Sequence, residues 1–341
     1  MPTTPLPRPT LPDDLGVRPV TLADLEATVD LFNECAIAHI GRPEITLDGI
    51  RNEWNLPDFN LTESTRAVFA PDGRPVGYVE VWDLQTVPNR IWIWGRVHPD
   101  YEGRGIGSYL LDWAEERARQ AVPRVPDGAR VSYQVGTVSS YQPARQLFQS
   151  RGLKLVRHFW NMQINLTAEP EPPQLPANLI IRSMIPQQEE RAVLQAVRDS
   201  FQDHWGYVEQ PFEEEFARWL YFIENDPDYD PALWLLAMDG DAIAGISLCD
   251  LKSNEDPAMG WVATLGVCRP WRRQGLGLAL LQQSFRELYL RGQRRVGLAV
   301  DAASLTGATR LYEKAGMHVA RRYDTYEKEL RPGHELGTQE A

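Results

Sequence analysis

Between Thr264 and Leu290 the chain carries a residue pattern suited to holding a diphosphate. The apolar run Leu265-Gly266-Val267-Cys268 stops at Arg269-Pro270-Trp271. Arg272-Arg273-Gln274-Gly275-Leu276-Gly277 follows, after which Leu278, Leu280, Leu281, Phe285 and Leu288 recur at helical spacing. A strand, a basic glycine-rich turn and an amphipathic helix are expected in that order. Glycines at 275 and 277 carry no Cβ to keep a ligand off the backbone. The free N–H groups of the first helical turn can therefore face an anion, assisted by the helix dipole and by Arg272 and Arg273. The stretch is not a Walker A loop, which ends in Gly-Lys-Ser/Thr. Nor is it a dinucleotide fingerprint, whose third glycine would stand where Leu280 is.

The whole chain narrows the chemistry. Its 341 residues suffice for two domains with cores of their own, and a net charge of -12 gives a field that repels nucleic acid, so any polyanion must be met by a local basic patch. Cys35, Cys249 and Cys268 lie far apart, without the spacing of a disulfide framework or a zinc site; no metal is expected, and a reducing, cytoplasmic setting is. The Pro- and Thr-rich start is unlike a signal peptide, and no run approaches the ~18–20 apolar residues of a membrane span. No membrane partner is expected.

The elements that must position the loop occur twice. After a disordered tail, 1–13, a short strand at Leu15–Val20 and a helix from Asp24 to about Cys35 are expected, then a helix over Leu47–Trp54. Arg66–Ala70 and Arg74–Trp82 read as a hairpin around Pro71-Asp72-Gly73. A strand at Ile91–Val97 leads into Glu102-Gly103-Arg104-Gly105-Ile106-Gly107 and a helix. A strand near Arg130–Val135, a helix at Gln142–Ser150 and a strand near Phe159–Leu166 close the unit. The Pro-rich stretch 167–178 reads as a linker, after which the order repeats. Arg18 and Arg182, Gly77 and Gly245, Gly105 and Gly275, and Gly152 and Gly316 occupy equivalent places. A period this long means duplicated domains, 14–166 and 179–330, with a tail at 331–341.

Arg272, Gly275 and Gly277 resemble the R/Q-x-x-G-x-G/A signature of the GCN5-related N-acetyltransferases (GNAT). Ser304 to Met317 resembles that family's second motif, N-x-x-A-x-x-x-Y-x-x-x-G-F, with Ser304 in place of Asn and Met317 in place of Phe. The order of elements is that of the family fold, and a tandem pair also resembles the layout of the mycothiol synthases. The resemblance implies an α/β (α+β) fold class of two tandem GNAT-like domains, each a mixed, mostly antiparallel sheet flanked by helices. It further implies an acetyl-CoA-dependent N-acetyltransferase acting on a small-molecule or peptide amine. A non-catalytic acyl-CoA sensor or interaction module is the rival reading.

Carried over residue by residue, the resemblance places the pyrophosphate on Arg272, Arg273, Gln274, Gly275, Leu276, Gly277 and Leu278, with Ser304 beside the pantetheine arm. Leu265, Gly266 and Val267 would offer backbone N–H groups to the acetyl oxygen, and Tyr312 would protonate the leaving thiolate. In the first copy Glu102 stands at the place of Arg272 and Phe148 at that of Tyr312, so this copy reads as degenerate. Where relatives carry a Glu early on the fourth strand this chain has Trp261; Asp250, Glu255 and Asp256 are the nearest acids. Family substrates cross the loop that here holds Phe201 to Glu209, so His204, Glu209 and Glu255 are the candidates for contacting the amine.

Overall fold

A computed structural model describes residues 11–176, 178–304 and 307–337, so most of the expected N-terminal tail and the last four residues of the C-terminal one lie outside the described residues. The chain forms two compact units. Unit 1 holds residues up to Val156 together with Asp324–His334; unit 2 holds Arg157–Tyr323 and the residues from Glu335 on.

The first copy runs β1 (Gly16–Arg18), α1 (Leu25–Ile40), α2 (Leu47–Trp54), α3 (Leu61–Ser64), β2 (Thr65–Phe69), β3 (Pro75–Trp82), β4 (Arg90–Val97), α4 (Ile106–Arg119), β5 (Val131–Val138), α5 (Gln142–Ser150) and β6 (Lys154–Asn165). The second runs β7 (Leu179–Ser183), α6 (Glu190–Phe201), α7 (Phe212–Asn225), β8 (Trp234–Asp239), β9 (Ala242–Asp250), β10 (Gly260–Val267), α8 (Leu276–Leu290), β11 (Arg295–Asp301), α9 (Ala308–Lys314) and β12 (His318–Arg331). In the first copy β1 to β4 pair antiparallel in order and β4 pairs parallel with β5; in the second β7 to β10 pair antiparallel in order and β10 pairs parallel with β11. This is the mixed, mostly antiparallel α/β sheet that the resemblance implies. Among the described residues no helix is long and apolar enough to cross a membrane, and no group of three or more His, Cys, Asp or Glu is placed to hold a metal ion.

The closing strands depart from the expectation. The strand read as the end of the first copy, within 14–166, pairs along Phe159–Asn165 with β11, where Met162 and Ile164 complete the core formed by Leu281, Phe285, Leu298 and Tyr312. The place beside β5 in unit 1 is taken instead by the later part of β12. Glu327 explains why that strand suits the position: its carboxylate accepts from Ser132 Oγ at 2.9 Å and Gln134 Nε2 at 3.0 Å, and pairs with Arg130. Lys328 reaches Glu115 at 2.7 Å, and Asp324 accepts from Ser139 at 2.6 Å. The stretch 331–334, expected as tail, is anchored: His334 exchanges backbone hydrogen bonds with Gly128 and Arg130, and Arg331 donates to the carbonyls of Val125, Pro126 and Ala129.

Within unit 2, alternation along β9 sorts the two faces of the sheet. The Cβ that Gly245 lacks would press on Leu280 of α8, and Ser247 Oγ lies 2.7 Å from Ser284 Oγ on the same helix. Ile246 and Leu248 pack oppositely, with Val193 and Ala196 of α6 and Trp219 and Ile223 of α7. Beyond the bulge at its start, which turns Ala244 toward α8, β9 therefore directs Ile246 and Leu248 toward α6 and α7.

Candidate active site

Strand β10 separates from β11 after two residue pairs. Gly260 lies opposite Val296 and Trp261 opposite Gly297; beyond them β10 keeps only its partner β9, with a bulge between Val262 and Thr264. The N–H of Cys268 donates to the carbonyl of Ala244 on the β9 side, so by alternation Leu265 and Val267 turn their backbone groups to the open side and Gly266 turns to β9. Of the three expected oxyanion donors, Leu265 and Val267 have the right direction. Gly266 serves another purpose: a Cβ there would come within 2.7 Å of Ser200 Cβ on α6, so glycine permits that contact.

The loop after β10 is built as an anion cradle. Gly275 is the N-cap of α8 at φ +87°, and Arg273 also has a left-handed φ of +62°. From Arg273 to Leu278 no backbone N–H finds an acceptor among the described residues, as the first turn of a helix and its approach require. A Cβ on Gly275 would meet nothing within 4 Å, whereas one on Gly277 would come within 3.0 Å of Leu311 Cδ1 on α9. Gly277 thus fits α9 against the cradle as well as baring its N–H. Arg273 and Gln274 are exposed, with Gln274 Nε2 donating to the carbonyl of Pro270 at 3.2 Å.

Arg272 does something the sequence did not reveal. Its Nε donates to the carbonyl of Val267 at 3.0 Å, one Nη to the carbonyl of Ser200 at 3.0 Å, and the other to Asp203 at 2.6 Å. It clamps the loop to the end of β10 and to the end of α6. Asp203 also accepts from Arg269, and the two guanidinium groups, Arg269 first, hold its carboxyl well below the usual range. In unit 1 the corresponding position is held differently: Glu102 accepts from the hydroxyl of Tyr141 and lies 3.8 Å from Nε2 of His39, whose pKa burial lowers and whose ring stacks on Tyr141 at 3.8 Å. Glu102 is therefore part of a built contact rather than a lone carboxylate at the loop.

Tyr312 lies on α9, 7% exposed, within the core around Met162, Leu281 and Leu298; burial pushes its phenol up to about 12. Ser304 sits in the turn before α9, its N–H donating to the carbonyl of Asp301 and its carbonyl accepting from Gly307.

The three acceptor-side candidates separate. His204 packs its ring 4.4 Å from that of Phe201; burial lowers its pKa, Asp301 works against this, and the charge of Arg272 adds to it. Glu209 pairs with the buried Arg198 at 3.0 Å. Glu255 pairs with Arg321 at 2.7 Å and accepts from the hydroxyl of Tyr323 at 3.3 Å. A feature that sequence reasoning missed is Arg157, buried, 3.7 Å from Asp301 and 4.6 Å from the centre of the Trp205 ring. It belongs to β6, so only the exchange of closing strands brings it here.

A strand pair that splays beside a helix-capping anion cradle, present in two related copies, defines an acyltransferase of the type the sequence motifs resemble. The profile of the Acetyltransferase (GNAT) family matches residues 25–153 and 193–317, and the chain belongs to that family. It is an N-acetyltransferase, using the acyl-CoA donors of that family and an acceptor that carries an amine. The chain is similar to mycothiol acetyltransferases. It is 30% identical to that of Streptomyces scabiei, over 69% of this chain and 68% of the relative, and 29% identical to that of Thermobispora bispora, over 64% and 70%. Among solved structures it resembles a GCN5-related N-acetyltransferase from Sphaerobacter thermophilus, with 36% identity, a TM-score of 0.79, and coverage of 97% of this chain and 100% of the other. A tandem GNAT protein from the clavulanic acid biosynthesis pathway shares the fold, at 17% identity and a TM-score of 0.67 over 94% and 100% of the two chains.

Proposed function

We propose that unit 2 transfers the acetyl group of acetyl-CoA to the amine of a small molecule or peptide, and that the first copy does not turn over. The observation that carries this reading is the cradle at 273–278, held open by the clamp of Arg272 on Ser200, Asp203 and Val267. The pyrophosphate would lie on the unpaired N–H groups, with Arg273 adding positive charge. The pantetheine arm would run past Ser304 and α9 into the opening between β10 and β11. There the N–H groups of Leu265 and Val267 are directed at the thioester oxygen, where negative charge develops as the amine adds. Tyr312, kept protonated by its burial, would deliver a proton to the departing thiolate. His204, neutral near pH 7, contacts the amine in this reading; Glu209 and Glu255, each held by an arginine, shape the frame around it.

The two copies can be tested with matched substitutions, because a Cβ is equally crowded at Gly277 and Gly107, 3.0 Å from Leu311 and Leu147 respectively. Gly277→Asp should abolish most acetyl-CoA binding by calorimetry, and CoA release with it, by setting bulk and charge at the phosphate position. Gly107→Asp should have the smaller effect. The reverse order of losses would sink the assignment.

A further inference from the structure

The acetyltransferase reaction needs a neutral amine at the thioester, and β10, Gly260–Val267, carries no carboxylate of its own. Three acids lie just before it in sequence. Two are engaged: Glu255 with Arg321 and Tyr323, and Asp256 with Arg295 at 2.6 Å. The third, Asp250, makes no hydrogen bond or ion pair with its carboxylate among the described residues, although it is only partly exposed. It ends β9 directly opposite Trp261 on β10, and residues so opposed point to the same face. That face is the α6 and α7 side, to which Ile246 and Leu248 also point.

The place of this pair in the sheet is what matters. Trp261 is in turn opposite Gly297 of β11, and its ring occupies the space a Cβ at 297 would need, coming within 2.7 Å of it. Asp250, Trp261 and Gly297 thus form the last row across three strands before β10 and β11 part. Leu265, whose N–H faces the opening, is three paired steps further along, roughly 10 Å at ~3.3 Å per residue. That span has the length to take an amine and one intervening water. The equivalent row of unit 1 has Trp82 opposite Trp92 and no acid.

We propose that Asp250 is the proton acceptor of the acetyl transfer, reaching the opening from β9, one strand across from the edge of β10 that parts from β11. The proposal rests on unit 2 being the site of chemistry. An ammonium gives one proton, through water, to the Asp250 carboxylate and thence to solvent. The freed lone pair forms the N–C bond and the C–S bond breaks. The second proton leaving nitrogen balances the one that Tyr312 delivers to sulfur. The groups facing Asp250 suit a cationic substrate: Asp226 and Asp228, from the segment after α7, add negative charge, Lys252 pairs with Asp228 at 2.6 Å, and Trp261 offers a ring face on which a cation or an aromatic stem can rest. Burial, with those two aspartates, also pushes the Asp250 carboxyl up to about 7, where it can both accept and release a proton near neutral pH.

The test uses the full chain with acetyl-CoA, and with tryptamine and spermidine as amine probes. In wild type the rate of CoA release should rise with pH through a midpoint near 7. Asp250→Asn should lower kcat/KM by ~10²-fold and flatten that limb, with acetyl-CoA affinity and melting temperature kept, and Asp250→Glu should restore part of the rate. An Asp250→Asn protein with the wild-type rate and acid limb would overturn the proposal. If Gly277→Asp is inactive at the same time, the assignment to unit 2 stands and only Asp250 falls. A carbon-13 titration of the Asp250 carboxyl needs no turnover: its midpoint should lie near 7 and fall when either amine is added. A midpoint in the ordinary carboxylate range, or one that neither amine moves, would equally refute it.

Discussion

Replacing Gly275 by alanine isolates the backbone of the cradle from everything else in it. The residue sits at φ +87°, ψ -4°, and an added Cβ meets no atom within 4 Å, so steric crowding contributes nothing. What remains is the cost of holding an L-residue in the left-handed region, about 1–2 kcal/mol. A free loop can relieve that cost by rotating toward negative φ, which turns the N–H groups of Leu276 and Gly277 away from the ligand. Binding must restore the original conformation. The expected result is a rise in the Kd of acetyl-CoA by roughly 5–30-fold, the factor that 1–2 kcal/mol represents. Gly105→Ala imposes the same strain at φ +83° in unit 1 and should leave the measured affinity unchanged. Isothermal titration on both variants, with thermal melts to confirm folding, decides the matter. A Gly275→Ala protein that binds like wild type would mean that the pyrophosphate does not rest on these N–H groups, and the reasoning from loop to cofactor would fail.

Two more expectations follow from buried groups. Tyr312→Phe should lower turnover by ~10²–10⁴-fold with little change in acetyl-CoA affinity; equal turnover, with chemistry shown to be rate-limiting, would return Tyr312 to a packing role. In unit 1, burial pushes Glu53 up to about 8 and Glu80 up to about 7, and Glu53 Oε2 is buried without a partner. Because the folded values lie above the unfolded ones, stability is full below about pH 4.5 and drains away as pH rises through 7 to 8. Glu53→Gln should therefore hold its melting temperature better than wild type between pH 6 and 9, and parallel falls in the two proteins would contradict this.

Much of this architecture was legible because local chemistry fixed it. Helix α2 falls where the pattern puts it, with Thr46 capping through a bond from the Gly49 N–H, and α5 opens with Pro143 in its first turn. The cradle was legible for the same reason, since two glycines and a helical stripe act within a few residues. Arg272 was readable as a position but not as a contact: its acceptors on Ser200 and Asp203 lie some seventy residues earlier, and only the packing of α6 delivers them. Asp250 was one of three equivalent acids until the structure assigned arginines to the other two. The closing strands were least legible, because β6 and β12 hold the same place in their repeats and alternate alike. What distinguishes them is the partner each finds, Met162 among apolar side chains and Glu327 among Arg130, Ser132 and Gln134.

That exchange of closing strands bears on how the duplicated chain can be divided. The Pro-rich stretch around Pro170–Pro176 looks like a natural place to cut, yet a break there yields two fragments that are each missing part of a sheet. The N-terminal fragment keeps Met162 and Ile164, which unit 2 needs; the C-terminal fragment keeps Tyr326 and Glu327, which unit 1 needs. Expressed singly, each would present a bare strand edge, β11 in one and β5 in the other, and such edges invite aggregation. Expressed together, they should reconstitute by complementation, as a split protein does. A gene that discarded the first copy would lose the strand carrying Arg157, so a copy without the diphosphate clamp remains indispensable to its sibling.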